Sequence, residues 1–561
     1  MPIEAAIVGK SIRLKTPYAM KDRCTAIPGG KWLPKYQAWE YHLTPATANA
    51  IFGLFNGALP PNVYDVLQKA RTVFDVGPGI KALGPDDTPD IPIYKTPPWH
   101  HQKVAYHYAS SILFNAAGIG GGVLLGLDMG CGKTYCAISI IANHTKEIKS
   151  VLIVCPHSVV DVWPLQFKNH SDLNPVIVAL GDGPGGKKMS VETKQHLAEL
   201  SMKSAAMQRR MSISVINYES LWREPFASWA LDTEFDMVVL DELHRIKAAK
   251  GKTTKFCEKM GRTVPYRLGL TGTPLPHSPL DVFGQYRFLD AGIFGTTVTK
   301  FRSDYAVMGG FENHQVLNFK NLDNLAAKMY SIGYRVMSKD VFDLPPFQDI
   351  TRTFQMTPED MSLYRQMEEE FCVQLKDEII TADNALVKIL RLQEMTSGFL
   401  AGNLISNGKK NLLDDTIEDF PKDEPLVIFA RFTNDLVNVK AIAEKQGRRY
   451  AELSGNAHDL AMWQKGQADV LGVQIKSGRE GVDFTRARYC LYYSLGHSLG
   501  DYNQSRKRVD RPGQVREGAY YHLIAKGTID EVVMKALAKR EEVVESVLRH
   551  YKEIINMKEA A

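Results

Sequence analysis

The stretch Gly126-Leu-Asp-Met-Gly-Cys-Gly-Lys-Thr134 decides the fold. It follows an apolar run, Gly122-Val-Leu-Leu125, that suits a buried strand. It precedes Tyr135-Cys-Ala-Ile-Ser-Ile-Ile-Ala142, which suits a helix packed on a sheet. A strand, a glycine turn and a helix start together form a phosphate cradle. Gly130 and Gly132, with Cys131 between them, let backbone N–H groups approach an anion, and the helix N-terminus adds partial positive charge. Lys133 is placed to reach the β- and γ-phosphates and the Thr134 hydroxyl to ligate Mg²⁺. Leu127 stands where the strict pattern has glycine, so the match is to the looser x-x-x-G-x-G-K-T form.

A second stretch supplies acids. Phe235-Asp-Met-Val-Val-Leu-Asp-Glu-Leu-His244 reads as an apolar strand with two carboxylates at its C-terminal end, where ligands bind in open α/β sheets. Asp241 can hold Mg²⁺ through water, and Glu242 can orient and deprotonate an attacking water. Arg267-Leu-Gly-Leu-Thr-Gly-Thr-Pro274 follows, with Thr271 and Thr273 able to hydrogen-bond those acids. Gly181-Asp-Gly-Pro-Gly-Gly-Lys-Lys188 is glycine-rich but lacks G-K-T and an apolar helix start, so it reads as a surface excursion.

The chain has 561 residues, enough for several domains. Its net charge of +5 is mild, so a nucleic-acid surface must be a local patch. Seven cysteines without a C-x-x-C pair suggest neither a zinc site nor a disulfide framework. No apolar run is long enough for a bilayer and the N-terminus lacks signal-peptide features, so a soluble, intracellular protein is expected, without a membrane partner.

Beyond residue 290 the sequence turns helical and charged, with Pro358–Phe371 and Ala385–Met395 as amphipathic helices. Strands return at Pro425–Ala430, Tyr450–Gly455, Asp469–Lys476 and Leu491–Ser494. In Gln504-Ser-Arg-Lys-Arg-Val-Asp-Arg-Pro-Gly-Gln514, Gln504, Arg508 and Arg511 fall at spacings of four and three, one face of a helix. Arginines in such a row can meet phosphates bidentately, or form a basic face toward DNA. Lys507 reads as facing solvent or DNA.

These motifs resemble the Snf-type (Swi/Snf) branch of superfamily-two helicase-like ATPases. The matches are GLDMGCGKT, VLIVCPHSVV, VINYESL, VVLDELH and LGLTGTPLPHSPLDVFGQYRFLD, and the resemblance covers about residues 96–545. It implies an α/β fold of two RecA-like parallel-sheet lobes with helical insertions, ATP and Mg²⁺ as cofactors, and movement along double-stranded DNA. It further implies that Gln102 reads adenine with Trp99 as a stacking neighbour, and that Gln514 joins the nucleotide site. Thr271, Thr273 and Gln504 would couple the lobes, Arg508 and Arg511 would reach the γ-phosphate, and Tyr218 and Ser477 would meet nucleic acid. Asp483, in Ser477-Gly-Arg-Glu-Gly-Val-Asp-Phe484, departs from the family's more usual asparagine.

Residues 1–60 read as a small α+β module. Ala26-Ile-Pro-Gly-Gly-Lys-Trp and Gln37-Ala-Trp-Glu-Tyr resemble the HepA-related (HARP) substrate-recognition module, which implies branched DNA as a partner beside duplex. Trp32 and Trp39 are then base-stacking residues, or else fillers of a small core. Residues 75–98 are rich in Gly, Pro and Asp and read as a linker, drawn as 61–95 in the division of the chain. Lobe one is expected over 96–345, lobe two over 346–545 and a helical tail over 546–561. The expected function is an ATP-dependent duplex translocase remodelling branched DNA or protein–DNA complexes. A strand-separating helicase and an ATP-gated clamp with little turnover are the alternatives.

Overall fold

A computed structural model of the chain describes residues 3–183, 187–310, 315–377, 382–475 and 482–543. The chain divides into two compact units, one built on Met1–Val341 and the other on Phe342–Glu542. Each is centred on a parallel sheet, as the α/β expectation requires.

In the first unit seven strands lie in the order Gly333–Val336, Gly121–Leu127, Tyr266–Leu270, Met237–Asp241, Ser150–Cys155, Ser212–Asn217 and Val176–Leu180. All neighbours pair in parallel. Strands covered on both faces must be apolar throughout. Accordingly, every residue of Gly121–Leu127 and Met237–Asp241 is buried. Parallel strands also bring their C-terminal turns to one edge. The register fixes how they meet there: Leu270 pairs with Leu125 on one side and Asp241 on the other. The acid strand thus lies two strand spacings, about 10 Å, from the strand that feeds the glycine loop.

The second unit has six parallel strands in the order Phe347–Phe354, Gly518–Ala525, Tyr489–Tyr492, Leu426–Ala430, Val470–Gln474 and Tyr450–Leu453. Helices Gly408–Glu418 and Thr433–Lys445 pack Leu413, Ile417, Val439 and Ile442 against this sheet. Helix Pro358–Asp377 starts as expected, with the Thr357 hydroxyl accepting the Asp360 N–H at 3.1 Å. Residues 529–543 are helical, and the tail expected at 546–561 lies outside the described residues.

The N-terminal sheet is antiparallel, in the order Glu4–Val8, Ser11–Lys15, Ala38–His42, Lys31–Leu33. Helix Pro45–Phe55 is capped by Thr44 and Thr47, each side chain accepting the other's backbone N–H. The linker reading needs correction. Pro61–Lys81 is a helix, and its Val63, Leu67 and Ala70 join Ile12, Leu14, Tyr41, Ile51 and Phe55 in one core. Composition misled here because Gly77 is needed for packing: a Cβ on it would lie 3.1 Å from the Tyr108 ring. Only 82–99 lacks regular structure between this helix and the next.

Nor does the module stand apart from lobe one. Buried Asp290 accepts the Thr44 hydroxyl at 2.7 Å and the Ala46 N–H at 3.2 Å, and caps Ala291–Phe294 through the Gly292 N–H at 2.8 Å. Burial raises the Asp290 carboxyl above its usual range, while the Thr44 hydrogen bond and the Arg267 charge oppose the rise. Arg267 is itself buried and donates to Leu289 O, Val264 O and Pro265 O.

Asp290→Ala leaves three donors facing a void and should cost about 2–5 kcal/mol. Urea unfolding of the first unit reads this, and an unchanged midpoint would show that the docking contact is dispensable.

In the second unit Asp435 is fully buried and accepts the Ser494 hydroxyl and the Phe432 N–H. Burial pushes its carboxyl up from 3.8 to about 6. The fold therefore favours the protonated form. That contribution is complete below pH 3.8 and is lost as pH rises through about 6. It amounts to about 3 kcal/mol. Asp435→Asn should flatten second-unit stability between those pH values, and a variant with the wild-type slope would reject the assignment.

Candidate nucleotide site

The glycine loop is held from below. Gly130 and Gly132 have φ of +86° and +80°, the left-handed region that costs a side-chain-bearing residue. At Gly132 space forbids a side chain as well, since a Cβ would lie 2.1 Å from Gln102 Nε2. Cys131 is buried, and its carbonyl receives Gln102 Nε2 at 3.3 Å and lies 3.0 Å from His101 Nε2. Helix Lys133–Asn143 begins at Gly132 with no side-chain cap, so its first N–H groups are suited to an anion. Lys133 Nζ folds back to Leu127 O at 3.2 Å, over the loop.

Gln102 is 4% exposed. Its Oε1 accepts the Trp99 N–H at 3.0 Å, so the carboxamide bridges its own helix start to the loop. Trp99 is 46% exposed beside it, its ring 5.6 Å from that of His101.

The acid pair sits at the end of Met237–Asp241. Asp241 Oδ1 accepts the Glu242 N–H at 3.0 Å. Glu242 has φ +54° and ψ +54°, a left-handed conformation for a non-glycine residue. That conformation costs about 1–2 kcal/mol and turns the side chain off the strand direction. Its Oε2 lies 3.3 Å from His244 Nδ1, which lies 3.0 Å from Thr271 Oγ1. Thr271 Oγ1 also accepts the Thr273 N–H at 3.1 Å. The expected threonine link to the acids thus runs through His244, which the sequence reading left without a role. The Thr273 hydroxyl is buried and has no hydrogen-bond partner among the described residues, as befits a group that meets a ligand or water.

Tyr218 requires a correction. It is 2% exposed, and its hydroxyl donates to Asp241 O at 2.8 Å. Burial pushes that hydroxyl well above its ordinary pKa. It braces the acid strand from within and does not face nucleic acid.

In the second unit helix Leu499–Arg506 carries Gln504, buried, and ends at Lys507. Arg508 and Arg511 therefore lie in the following turns and not on one helical face. Pro512 disfavours a helical Arg511, and Gly513 has φ +107°. The two arginines nevertheless converge: both Nη1 atoms donate to Val482 O, at 3.3 and 3.4 Å. Arg511 Nε is buried without a partner among the described residues. Gln514 does not fit a nucleotide contact. Its Nε2 donates to Thr485 O and Ala487 O, and its Oε1 accepts the N–H groups of Val515 and Arg516, so both ends are consumed. Lys507 Nζ lies 3.3 Å from Asp510. Ser477 lies outside the described residues. Asp483 has a local task, accepting both the N–H and the hydroxyl of Thr485 at 2.8 Å.

In the module Trp32 and Trp39 pair across strands, ring centroids 5.6 Å apart and edge to face. Trp39 packs on the core while Trp32 remains 44% exposed. Arg13 lies 4.3 Å over the exposed Tyr36 ring, and Lys35 5.6 Å from it.

Among the described residues, no helix is long and apolar enough to cross a membrane, and no cluster of three or more His, Cys, Asp or Glu could hold a metal. Mg²⁺ commonly uses one or two protein oxygens together with phosphate and water, so Thr134 and Asp241 remain a fitting donor set.

The family model described as the SNF2-related domain matches residues 99–398, more than half of the chain. An uncharacterized ATP-dependent helicase of Mycoplasma genitalium is 23% identical over 446 residues, covering 76% of this chain and 40% of that protein. DNA annealing helicase and endonuclease ZRANB3 of Bos taurus is 23% identical over 456 residues, covering 77% of this chain and 39% of that protein. The chain thus spans about two fifths of the length of these two relatives. The SWI2/SNF2 ATPase core of Sulfolobus solfataricus, solved with double-stranded DNA, is 20% identical, covers 81% of this chain and 94% of that one, and has a TM-score of 0.36.

Gly132→Ala should displace Gln102 and abolish binding of a fluorescent ATP analogue while the second unit melts unchanged. Wild-type affinity in this variant would mean that the loop does not hold the phosphates.

Proposed function

The chain belongs to the SNF2-related domain family, and we propose that it is a helicase-like ATPase that translocates on duplex DNA and remodels branched DNA or protein–DNA complexes. The observation that carries the reading is the shared sheet edge, where an uncapped helix start with Lys133 lies two strands from Asp241 and Glu242. Lys133 and the helix N–H groups bind the phosphates of ATP. Thr134 and Asp241 would hold Mg²⁺, which would supply charge neutralisation at those phosphates. Glu242, oriented by its left-handed backbone and by His244, positions and deprotonates the attacking water. Arg508 and Arg511, whose Nη1 atoms meet at Val482 O, are basic groups suited to meeting a phosphate. Gln102 and Trp99 flank the adenine.

Support for branched DNA comes from the module. Trp32 and Tyr36 are exposed aromatic rings, with Lys31, Lys35 and Arg13 among their neighbours in sequence or space. An aromatic face can stack on an unpaired base for about 1–3 kcal/mol, and a plain duplex exposes no such base. The name of the bovine relative points the same way. We assign residues 1–60 as a HARP-like reader of forks, with replication or repair intermediates as its substrates and Lys507 and Ser477 as further DNA contacts. Phosphate contacts would dominate affinity, so binding should weaken steeply with salt.

The test is ATP hydrolysis measured with single-stranded, duplex, forked and four-way DNA and with RNA, beside triplex displacement. Duplex and forked DNA should stimulate, and the triplex strand should be displaced. Stimulation by single strands alone would favour a strand-separating helicase, and tight binding without turnover would favour a clamp. Glu242→Gln should bind ATP yet hydrolyse it about 10²–10⁴-fold more slowly. Trp32→Ala should keep duplex stimulation but lose about 5–160-fold in fork affinity. Equal losses on duplex and fork would return Trp32 to a structural role.

A further inference from the structure

The edge strand Gly333–Val336 carries an arginine that the nucleotide motifs do not include. Arg335 pairs in register with Gly126, beside the start of the glycine loop. Its Nη1 donates to Gly126 O at 3.2 Å and to Gly272 O at 2.7 Å. Its Nη2 lies 3.0 Å from Asp128 Oδ1. The other oxygen of Asp128 accepts the Ser338 N–H at 3.2 Å and the Ser338 hydroxyl at 3.4 Å, and the Asp128 N–H donates to Val336 O at 3.0 Å. The Arg335 and Asp128 side chains are 8% and 12% exposed. Glycine at 126 makes room, since a Cβ there would lie 3.3 Å from Arg335 Cδ.

One guanidinium therefore joins two parts of the nucleotide site. Asp128 begins the turn that contains Gly130 and Gly132. Gly272 sits between Thr271, which contacts His244, and Thr273, whose hydroxyl has no partner among the described residues. A Cβ on Gly272 would lie 3.5 Å from Lys133 Nζ, so this peptide borders the phosphate-binding lysine. Asp128 is also bonded to Ser338, the first residue of the short helix Ser338–Val341 at which the first unit ends.

We propose that Arg335, clamped by Asp128, is a positioning residue for ATP hydrolysis. It fixes the spacing between the glycine loop and the Thr271–Thr273 turn, and so between Lys133 and the Glu242–His244–Thr271 chain. It acts through these groups without touching nucleotide. The inference rests on the reading of this edge as the ATP site. A planar fork is required because the acceptors lie in different directions: two carbonyls on one nitrogen and a carboxylate on the other. Lysine keeps the charge and can pair with Asp128, but its single ammonium cannot span all three.

The test uses the full chain, with rates expressed per folded molecule, for Arg335→Lys, Asp128→Asn, the double variant and Arg335→Gly. A misplacement of about 1 Å can cost about 10²-fold in rate, so kcat for Arg335→Lys should fall by roughly that factor. Affinity for a fluorescent ATP analogue should stay within about threefold, because Lys133 and the helix start remain. The double variant should be no slower than the slower single, as expected for one shared interaction. Added guanidinium should restore part of the Arg335→Gly rate by refilling the cavity. Wild-type kcat in Arg335→Lys would overturn the clamp, as would multiplicative losses in the double variant or a loss accounted for by the unfolded fraction. A wild-type chain that does not hydrolyse ATP would instead sink the reading of the site, a separate outcome.

Discussion

The ladder of parallel hydrogen bonds that holds Gly121–Leu127 between Tyr266–Leu270 and Gly333–Val336 is the constraint on which the rest of the first unit depends. This strand is buried along its whole length, so its backbone groups must be satisfied by its neighbours. Each neighbour in turn delivers a turn to the same edge. The strand itself ends in the glycine loop, Tyr266–Leu270 ends in Thr271–Thr273, and Gly333–Val336 carries Arg335. A shift of one residue in either pairing would separate these groups by about 3.3 Å along the sheet.

Close packing extends the constraint outward. A Cβ on Gly122 would lie 2.0 Å from Leu289 O, and one on Gly120 would lie 2.3 Å from Pro265 O. The helix Val282–Leu289 therefore presses directly on the loop strand, and Asp290 follows at its end. Asp290 holds the N-terminal module by capping two helix starts at once. A buried carboxylate is costly in isolation, and three donors and the nearby Arg267 offset part of that cost. The module is thus packed through Asp290 on the helix that presses against the strand feeding the glycine loop.

One strained backbone position lies where chemistry is expected. Glu242 is one of five non-glycine residues with positive φ among those described. Its neighbours fix it: Asp241 Oδ1 takes its N–H, His244 meets its carboxylate, and Tyr218 holds the Asp241 carbonyl from below. These contacts offset a backbone cost of about 1–2 kcal/mol. The outcome is two adjacent carboxylates, one at the strand end and one turned away from it.

The sequence by itself determined the α/β class, the glycine loop, the acid pair and the Thr271–Thr273 turn, because each depends on local periodicity or on glycine at a fixed position. It also showed arginines 508 and 511, though the helix stops at Arg506, before either of them. Only the tertiary structure decided which groups meet. Pro61–Lys81 is a helix because Val63, Leu67 and Ala70 pack in the module core, and its Gly77 lets Tyr108 approach, whereas composition there signals a linker. Tyr218 and Gln514 are internal braces because burial consumes their polar atoms, and nothing in a motif distinguishes a buried hydroxyl or amide from one that faces a ligand. His244, Asp290 and Arg335 gain their partners from other strands and helices. Those partners lie 27, 246 and 207 residues away for Thr271, Thr44 and Asp128, a separation that local pattern does not carry and that only the closed sheet brings within hydrogen-bond distance.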